Sequence, residues 1–363
     1  MKKLIYIVTI LCIGFIKVYS NDNSQSNYAD YNQNNFAYNF LPKMLNNRSY
    51  NFYAFGEFLY MQASQDGLEY ALLNSSLDPG VINPIFPIIP GKRIGFDDDW
   101  SYEPGVKIGL GYIDKDLWNA NLYYTYVDID SSSSINFTNF GILYPIWFPP
   151  SDANSLRSSK DMKAKWSGSV NSLDFKIGKK IYLSKKVLFE PNIGIKVARI
   201  KQLYQFSMFA KWSIALPFRE AKFDGNITFK GAGIRAGIDS EYHFLKHLYL
   251  FGNLTGSILH SKFNLFQKYN GFLTNTQTPH TVEQTDKIFT NIPCVEVLAG
   301  IAGNYSYKES FQVELKIGYE MQTWFRQNQF VRYFNGEIPT GTSDILGDDL
   351  TINGLSIRLG TQF

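Results

Sequence analysis

The sequence contains little cysteine, little charge and no long hydrophobic run. Two of its 363 residues are cysteine, and charged residues make up 18% of the chain. Cys12 lies in the apolar N-terminal stretch, so Cys294 has no partner for an internal disulfide bond once that stretch is removed. This excludes a disulfide-stabilised scaffold. We interpret Cys294 as a small apolar strand residue, with an intermolecular cross-link as the alternative.

The apolar stretch at the N-terminus is too short to cross a membrane as a helix. Lys2 and Lys3 precede an apolar stretch from Leu4 to Ile16, whereas a spanning helix needs about 20 apolar residues. Small residues near Ser20 suit a signal peptidase, so residues 1–20 are predicted to be a cleaved signal peptide. The exported protein is then either soluble outside the inner membrane or a β-barrel.

The charge balance of the exported chain excludes one class of partner. Cleavage after Ser20 removes three lysines and no acidic residue, which takes 35 basic residues to 32 against 32 acidic ones. Binding to nucleic acid by counterion release requires a basic surface. We therefore expect no nucleic-acid partner.

Aromatic residues are abundant, at 16% of the chain with 24 Tyr and 29 Phe. Transmembrane barrels carry aromatic girdles at both membrane interfaces and few charges on their lipid-facing side. The composition fits such a barrel, although a soluble all-β protein could share it.

A two-residue alternation of apolar and polar side chains dominates the chain after residue 50, which is typical of strands with one apolar face. Residues 21–49 are rich in Asn, Ser and Tyr without any period, and are predicted to be a periplasmic tail. Ten stretches show the alternation: residues near 50–63, 103–112, 117–130, 169–180, 186–204, 225–241, 247–262, 292–305, 311–325 and 349–363.

Short and long connections alternate strictly between these stretches. The short ones lie near residues 114–116, 184–186, 243–246 and 307–309, and the long ones near 64–102, 131–168, 205–224, 263–291 and 326–348. This alternation predicts an antiparallel up-and-down transmembrane β-barrel of the Gram-negative outer membrane, as one domain over residues 50–363, with short periplasmic turns and long extracellular loops. The predicted number is ten strands, to about two either way, because residues 142–147 or 205–214 could add a hairpin.

The cost of a charge in lipid decides which face of each strand points outward, since a charged side chain at the bilayer midplane costs about 2–4 kcal/mol in such barrels. The polar face must line the interior, and the charged residues predicted there as pore-lining are Glu57, Lys107, Asp174, Lys176, Glu190, Lys196, Arg235, Asp239, Glu296, Glu314, Lys316, Glu320 and Arg358. Their signs nearly balance, so no strong ion preference follows.

Two interpretations of this interior stay open at the level of sequence. In a ten-stranded barrel the bore is little wider than its side chains, so the charges would pair across it and close it. In a barrel of twelve to sixteen strands the same charges would line an open solute pathway. The strand number decides between them.

The last strand carries a second pattern on its outward face. Leu355, Ile357 and Leu359 lead to the terminal Phe363, which resembles the signal that the barrel assembly machinery recognises in outer-membrane proteins. Thr361 departs from the usual apolar residue at its position. Expected partners are this machinery, outer-membrane lipid with lipopolysaccharide, and small solutes, while the oligomeric state stays open.

Other candidate sites are weaker. Residues 97–99 are three adjacent aspartates, which we interpret as a solvated loop edge, with a cation site or a lipopolysaccharide-linked site as the alternative. The apolar, Pro-rich loops 81–90 and 144–150 either fold back over the barrel mouth or form an adhesive surface. If the barrel were an enzyme with its site at the outer rim, His260 or His280 would have to serve as the catalytic base, but no acidic pair stands near them in sequence. We predict no enzyme activity, no metal site and no cofactor.

Two stretches carry a family resemblance. They are Glu57 to Ala63 continued by Asp66 to Ala71, and Gly318 to Phe325 followed by Asn328 and Gln329. Both resemble the Legionella-type major outer membrane protein family of pore-forming barrels, which has relatives in chlamydia-related bacteria. The resemblance implies a porin-like protein that admits small polar solutes by passive diffusion. The alternative is a closed structural or adhesive barrel that acts through its extracellular loops.

Overall fold

The computed structural model describes residues 50–74, 92–96, 100–136, 142–147, 159–210, 219–272, 279–307, 311–333, 343–345 and 347–363. The chain divides into two units, residues 1–39 and 40–363, and all described residues belong to the second. The predicted signal peptide and periplasmic tail lie outside the described residues. Among the described residues, no helix is long and apolar enough to cross a membrane.

Ten long antiparallel strands form a barrel wall. They are β1 (Tyr50–Gln65), β4 (Tyr102–Asp114), β5 (Trp118–Asn136), β7 (Ser159–Lys179), β9 (Val187–Ala210), β10 (Arg219–His243), β11 (Leu248–Phe272), β12 (Pro279–Tyr307), β13 (Phe311–Asn328) and β16 (Asp348–Gln362). Short strands lie between them: β2 (Ala71–Asn74), β3 (Lys92–Ile94), β6 (Ile142–Pro145), β8 (Ile181–Tyr182), β14 (Val331–Tyr333) and β15 (Ser343–Ile345).

The wall closes on itself, because every long strand pairs with two others and β7 bonds to both β5 and β9. Starting at Glu57, one can step from each residue to its paired partner on the next strand around the barrel. In one direction this path reaches Thr290 on β12, and in the other direction it reaches Ala302, which lies twelve positions further along the same strand. Ten strands with this stagger, spaced about 4.8 Å apart and tilted by about 40°, give a backbone radius of about 10 Å. Side chains from opposite walls therefore meet at the centre.

The structure confirms the ten predicted strands, but several continue further at the extracellular end than predicted. The predicted long connection over 205–224 is largely strand, since β9 extends to Ala210 and β10 begins at Arg219. The same holds for the predicted connection over 263–291, where β11 extends to Phe272 and β12 begins at Pro279. Within 142–147, β6 pairs with the short β2 and adds no strand to the wall. Residues 205–210 belong to β9, and 211–214 lie outside the described residues.

The strands continue because the polarity of their two faces reverses part-way up the wall. In the lower part of β7, Leu173 and Phe175 point outward while Asp174 points inward. In its upper part, Trp166 points inward and Lys165 outward. Hydrocarbon contacts the outer face below and water contacts it above, so apolar side chains turn inward once the wall leaves the membrane. The extracellular part of the barrel thus packs like the core of a soluble protein.

Exposed aromatic residues mark the two edges of the apolar belt. At the periplasmic edge the rings of Tyr50 and Tyr112 stack with centroids 6.1 Å apart, and at the other edge Tyr60 and Tyr102 stack at 5.3 Å. Ten residues separate Tyr50 from Tyr60 on β1, which is about 25 Å of height in a strand tilted by about 40°. That matches the apolar height of about 25 Å expected for outer-membrane barrels.

Hydrogen bonds hold the periplasmic edge of the barrel wall together. The Trp118 backbone N–H donates to the Asp114 carboxylate at 2.9 Å, within the short turn predicted at residues 114–116. The last residue joins the first strand, since Phe363 and Phe52 exchange two backbone hydrogen bonds of 2.9 and 3.1 Å. Both ends of the described wall therefore meet at the periplasmic rim.

Candidate functional site

The structure places the thirteen charged residues predicted to face inward inside the barrel. They fall into three groups, two at mid-height and one towards the periplasmic end. Cross-strand register creates the first two groups, because residues directly opposite on neighbouring strands point to the same face.

The first group is centred on Glu57. Lys107 on β4 and Arg358 on β16 lie directly opposite Glu57 on either side. Lys107 Nζ is 3.3 Å from Glu57 Oε1 and 2.7 Å from Glu320 Oε2, and Arg358 Nη2 is 2.7 Å from Glu57 Oε2. The Ser356 hydroxyl also donates to Glu57. All acceptor oxygens of the buried Glu57 are thereby occupied.

The second group is centred on Lys196, whose side chain is 1% exposed. Its Nζ lies 3.1 Å from Asp174 and 2.5 Å from Glu296. Arg235 Nη1 lies 2.7 Å from Asp174 and also donates to the Tyr123 hydroxyl. Two cations and two anions thus neutralise one another, as buried charges require. Together with the Glu57 group they form a charged belt across the barrel.

The third group lies towards the periplasm, where the interior holds a polar cavity of about 190 Å³. Lys176 pairs with Asp239, and Lys316 Nζ lies 3.4 Å from Glu314 and 3.9 Å from Glu241. Glu190 accepts a 2.8 Å hydrogen bond from Asn119.

Lys180, in the turn below β7, lies at the rim of this cavity. Its burial alone would lower the pKa, but the carboxylates of Glu241 and Glu190 outweigh that effect and raise the pKa of Lys180 above its ordinary value. Lys180 therefore stays charged at the rim.

Sequence reasoning missed two members of this interior. Glu241 continues the inward alternation of Arg235 and Asp239 on β10, so the same pattern would have identified it. Tyr123 lies between outward Leu122 and Tyr124 in an aromatic run, where alternation of polarity gives no signal.

Above the charged belt, an aromatic cluster fills the extracellular part of the interior. The Trp147 ring lies 5.2 Å from Tyr204, 5.1 Å from Phe223 and 6.1 Å from Phe330, centroid to centroid. The Trp147 indole N–H donates to the Glu69 carbonyl at 2.8 Å. For the described part of loop 144–150, the predicted folding back over the mouth is thus confirmed. Residues 81–90, 148–150 and the aspartates at 97–99 lie outside the described residues.

The last two residues of β13 and the four that follow fold into the same region and are called the inner segment here (residues 327–332). Gln327, Asn328, Gln329 and Phe330 are all buried. Gln267 on β11 holds the next residue through two bonds: its amide N–H donates to the Val331 carbonyl at 3.0 Å, and its carbonyl accepts the Val331 N–H at 2.9 Å.

Arg332 then anchors the end of the inner segment. Its guanidinium stacks 4.9 Å above the Trp147 ring and donates to the Gly67 carbonyl at 2.8 Å. The inner segment and the aromatic cluster together fill the extracellular part of the described barrel interior.

The predicted candidates for catalysis do not converge on the interior. His260 is exposed on the outer face of β11 and hydrogen-bonds to Asn291 at 3.0 Å, and the His280 side chain lies outside the described part of the structure. Cys294 is fully buried, in agreement with its interpretation as a small strand residue. Within the described ranges, no group of three His, Cys, Asp or Glu residues is arranged to hold a metal ion.

Fold and interior together define the class: a closed outer-membrane β-barrel whose interior is occupied by paired charges and aromatic rings. Residues 46–362 match the family described as Legionella pneumophila major outer membrane protein precursor. The chain belongs to this family, and its location is the outer membrane. The predicted family resemblance is thereby confirmed.

Solved structures with the same general fold are distant. The outer membrane protease OmpT from Escherichia coli is 10% identical, with 86% of this chain and 96% of that chain covered and a TM-score of 0.35. A Pseudomonas aeruginosa FadL homologue is 10% identical, with 87% and 90% covered and a TM-score of 0.27. The Yersinia pestis protein Ail is 5% identical, with 87% and 100% covered and a TM-score of 0.22. These similarities carry no argument about activity. No curated protein sequence matches the chain.

Proposed function

We propose that this protein is a closed outer-membrane barrel that works through its extracellular end and conducts no solutes in its resting state. The observation that carries the proposal is the charged belt around Lys196 and Glu57, covered by the aromatic cluster and the inner segment. Ten strands are too few to leave a bore beside these side chains.

The belt opposes conduction for an energetic reason. A solute passing Lys196 would have to separate it from Asp174 and Glu296, and breaking a buried ion pair by removing one partner costs about 3–5 kcal/mol. A second barrier follows above the belt, where the buried rings of Trp147 and Phe330 pack against each other.

The wall above the membrane supports a display role. Strand β10 begins at Arg219 and reaches the extracellular edge of the apolar belt at Lys230, eleven residues later. At a tilt of about 40°, this part of the strand extends about 28 Å above the belt. The described extracellular ends of β9, β10, β11 and β12 are thereby carried beyond the headgroups of the bilayer. The connections between strands at this end include the Pro-rich residues 81–90. We assign them attachment to other surfaces, and assign the protein no enzyme activity.

Two measurements test this proposal. Purified protein, shown to be folded by its heat-dependent gel mobility, should give no conductance steps in planar bilayers. Cells expressing the protein should attach to a surface better than cells without it, and a Gly-Ser replacement of residues 81–90 should remove the gain. The matched control is Lys163→Gln with Lys165→Gln, on the exposed wall of β7. Regular conductance steps, or attachment that survives the loop replacement, would contradict the proposal.

The second candidate is a channel for passive diffusion of small polar solutes, as the resemblance implies. It is favoured by the polar cavity of about 190 Å³ inside the periplasmic half. This function requires the inner segment to leave the barrel, and the thirteen charged residues then act as pore lining. Because their signs nearly balance, such a channel should discriminate weakly between cations and anions. Steps that appear in the wild-type protein and show weak selectivity would favour this candidate.

A further inference from the structure

A row of three cations crosses the outer face of the barrel. Arg199 on β9, Lys230 on β10 and Lys262 on β11 lie directly opposite one another in the register of the sheet. Such pairs have Cβ atoms about 5 Å apart, and like charges in this position destabilise a sheet. Each of the three side chains faces outward, so the acidic side chains of the barrel interior do not offset the repulsion between them.

No carboxylate compensates this row within the part of the chain that the structure describes. None of the three cations has an acidic oxygen within 4 Å there, and Lys262 Nζ instead lies 5.6 Å from the centre of the Phe289 ring. Higher on β10 and β11 the pattern differs, because Lys222 pairs with Glu220 at 3.0 Å and Lys268 pairs with Glu283 at 2.8 Å. The cations of the row therefore lack the acidic partners that Lys222 and Lys268 have on the same two strands.

That height is the extracellular edge of the apolar belt. The next outward position towards the membrane is Val197 on β9, Ala232 on β10 and His260 on β11, whose ring is hydrogen-bonded to Asn291. Below the row the wall contacts hydrocarbon and above it the wall contacts water, so the row lies at the level of the outer-leaflet headgroups.

A surface groove of about 510 Å³ runs beneath the row, between Tyr124 and Phe289. Its floor is apolar and includes Leu173, Val197 and Ala232, while the cationic row forms its upper edge. A ligand that fits such a groove has a hydrocarbon tail and an anionic head.

We propose that this groove binds the lipid A part of lipopolysaccharide, with its phosphates on Arg199, Lys230 and Lys262 and an acyl chain along the apolar floor. The row spans two inter-strand spacings, about 10 Å, which suits a headgroup with two phosphates better than a phospholipid with one. Arginine and lysine both bind phosphate through charge-assisted hydrogen bonds. The site goes beyond the proposed display function and does not depend on whether the barrel conducts.

Binding is tested with the full-length protein in a non-ionic detergent and purified bisphosphorylated lipid A. The triple variant Arg199→Gln, Lys230→Gln, Lys262→Gln should bind at least tenfold more weakly than wild type, and raised salt should weaken the wild type towards the variant. The control variant, Lys163→Gln, Lys165→Gln, Lys287→Gln, loses the same charge from exposed positions higher on the wall and should bind like wild type. Dephosphorylated lipid A and phosphatidylglycerol should each bind at least tenfold more weakly.

A stability measurement separates a binding site from a structural role. Lys230 lies between two cations, so Lys230→Gln should raise the thermal midpoint of unfolding without lipid by relieving repulsion. At the same high concentration of lipid A, wild type should gain more than the variant, because stabilisation by a ligand increases with the logarithm of its affinity. Equal lipid A binding by wild type and triple variant, equal binding of phosphatidylglycerol, or equal stabilisation of Lys230→Gln by lipid A would overturn the proposal.

Discussion

Lys196 on β9 and Asp174 on β7 lie directly opposite each other inside the barrel, with Lys196 Nζ 3.1 Å from both carboxylate oxygens of Asp174. Neither side chain is more than 1% exposed. Asp174 also accepts from Arg235, so one buried carboxylate serves two cations. Removing it leaves two buried positive charges, with Glu296 as the one acidic partner that the described residues still supply at this point.

Asp174→Asn should therefore destabilise the barrel by about 3–5 kcal/mol, because the remaining partners stay buried and incompletely paired. The measurement is urea unfolding of the protein refolded in lipid vesicles, followed by tryptophan fluorescence. Glu283→Gln breaks the exposed pair with Lys268 and is the matched control, with an expected change below about 1 kcal/mol. An Asp174→Asn effect as small as that of the control would mean that water reaches the belt and that the barrel interior is open.

The bonds between Gln267 and Val331 make a second prediction. Gln267→Leu keeps the side-chain volume but leaves the buried N–H and C=O of Val331 without partners, at about 1–3 kcal/mol for each unsatisfied group. Because residues 329–332 of the inner segment lie beyond the end of β13, we expect the cost to appear as local opening of this segment. Hydrogen–deuterium exchange around residues 327–332 should rise about tenfold or more, with little change in β9 and β10. Gln205→Leu, at an exposed position on β9, should leave exchange in the inner segment unchanged.

The strand count, the facing of the charged side chains and the turn at Asp114 could be predicted from sequence, because each depends on local alternation and on the cost of a charge in lipid. The upper wall could not, because the criterion for a strand was an apolar outer face. Above the membrane that criterion reverses: Lys165 points out and Trp166 points in. The same alternation was present in the sequence with opposite phase.

The closed interior was harder to predict, because it depends on residues distant in sequence. Lys107 meets Glu320 only after the barrel closes, and Phe330 packs on Trp147 beside the bonds that hold Val331 to Gln267. The sequence correctly predicted ten strands, but the inner segment had no local signal. Asn and Gln at 327–329 look like an ordinary polar loop.

The reversal of polarity along β9 gives a third prediction. Ile193 lies at the centre of the outward apolar stretch of this strand and is 66% exposed in the absence of lipid. Ile193→Lys should destabilise the protein in vesicles by about 2–4 kcal/mol, since it places a charge near the bilayer midplane. Gln205→Lys, on the same strand above the belt, should change stability by less than about 0.5 kcal/mol. Equal costs at both positions would show that the apolar belt extends much higher than proposed.

The bonds between Phe52 and Phe363 join the last strand to the first at the periplasmic rim, and the Phe363 side chain is 48% exposed on the outer face. Because an exposed ring contributes little packing, Phe363→Ser should leave the stability of the refolded barrel within about 0.5 kcal/mol of wild type. If Phe363, with Leu355, Ile357 and Leu359, forms the signal for the assembly machinery, the same variant should nevertheless reach the outer membrane at a several-fold lower level. The measurement is the amount of heat-modifiable folded protein in outer-membrane fractions. Phe311→Ser, at another exposed aromatic of the same rim, is the control and should assemble normally, since its strand is not the last. Normal assembly of Phe363→Ser would remove the signal role and leave Phe363 as one more residue of the aromatic girdle.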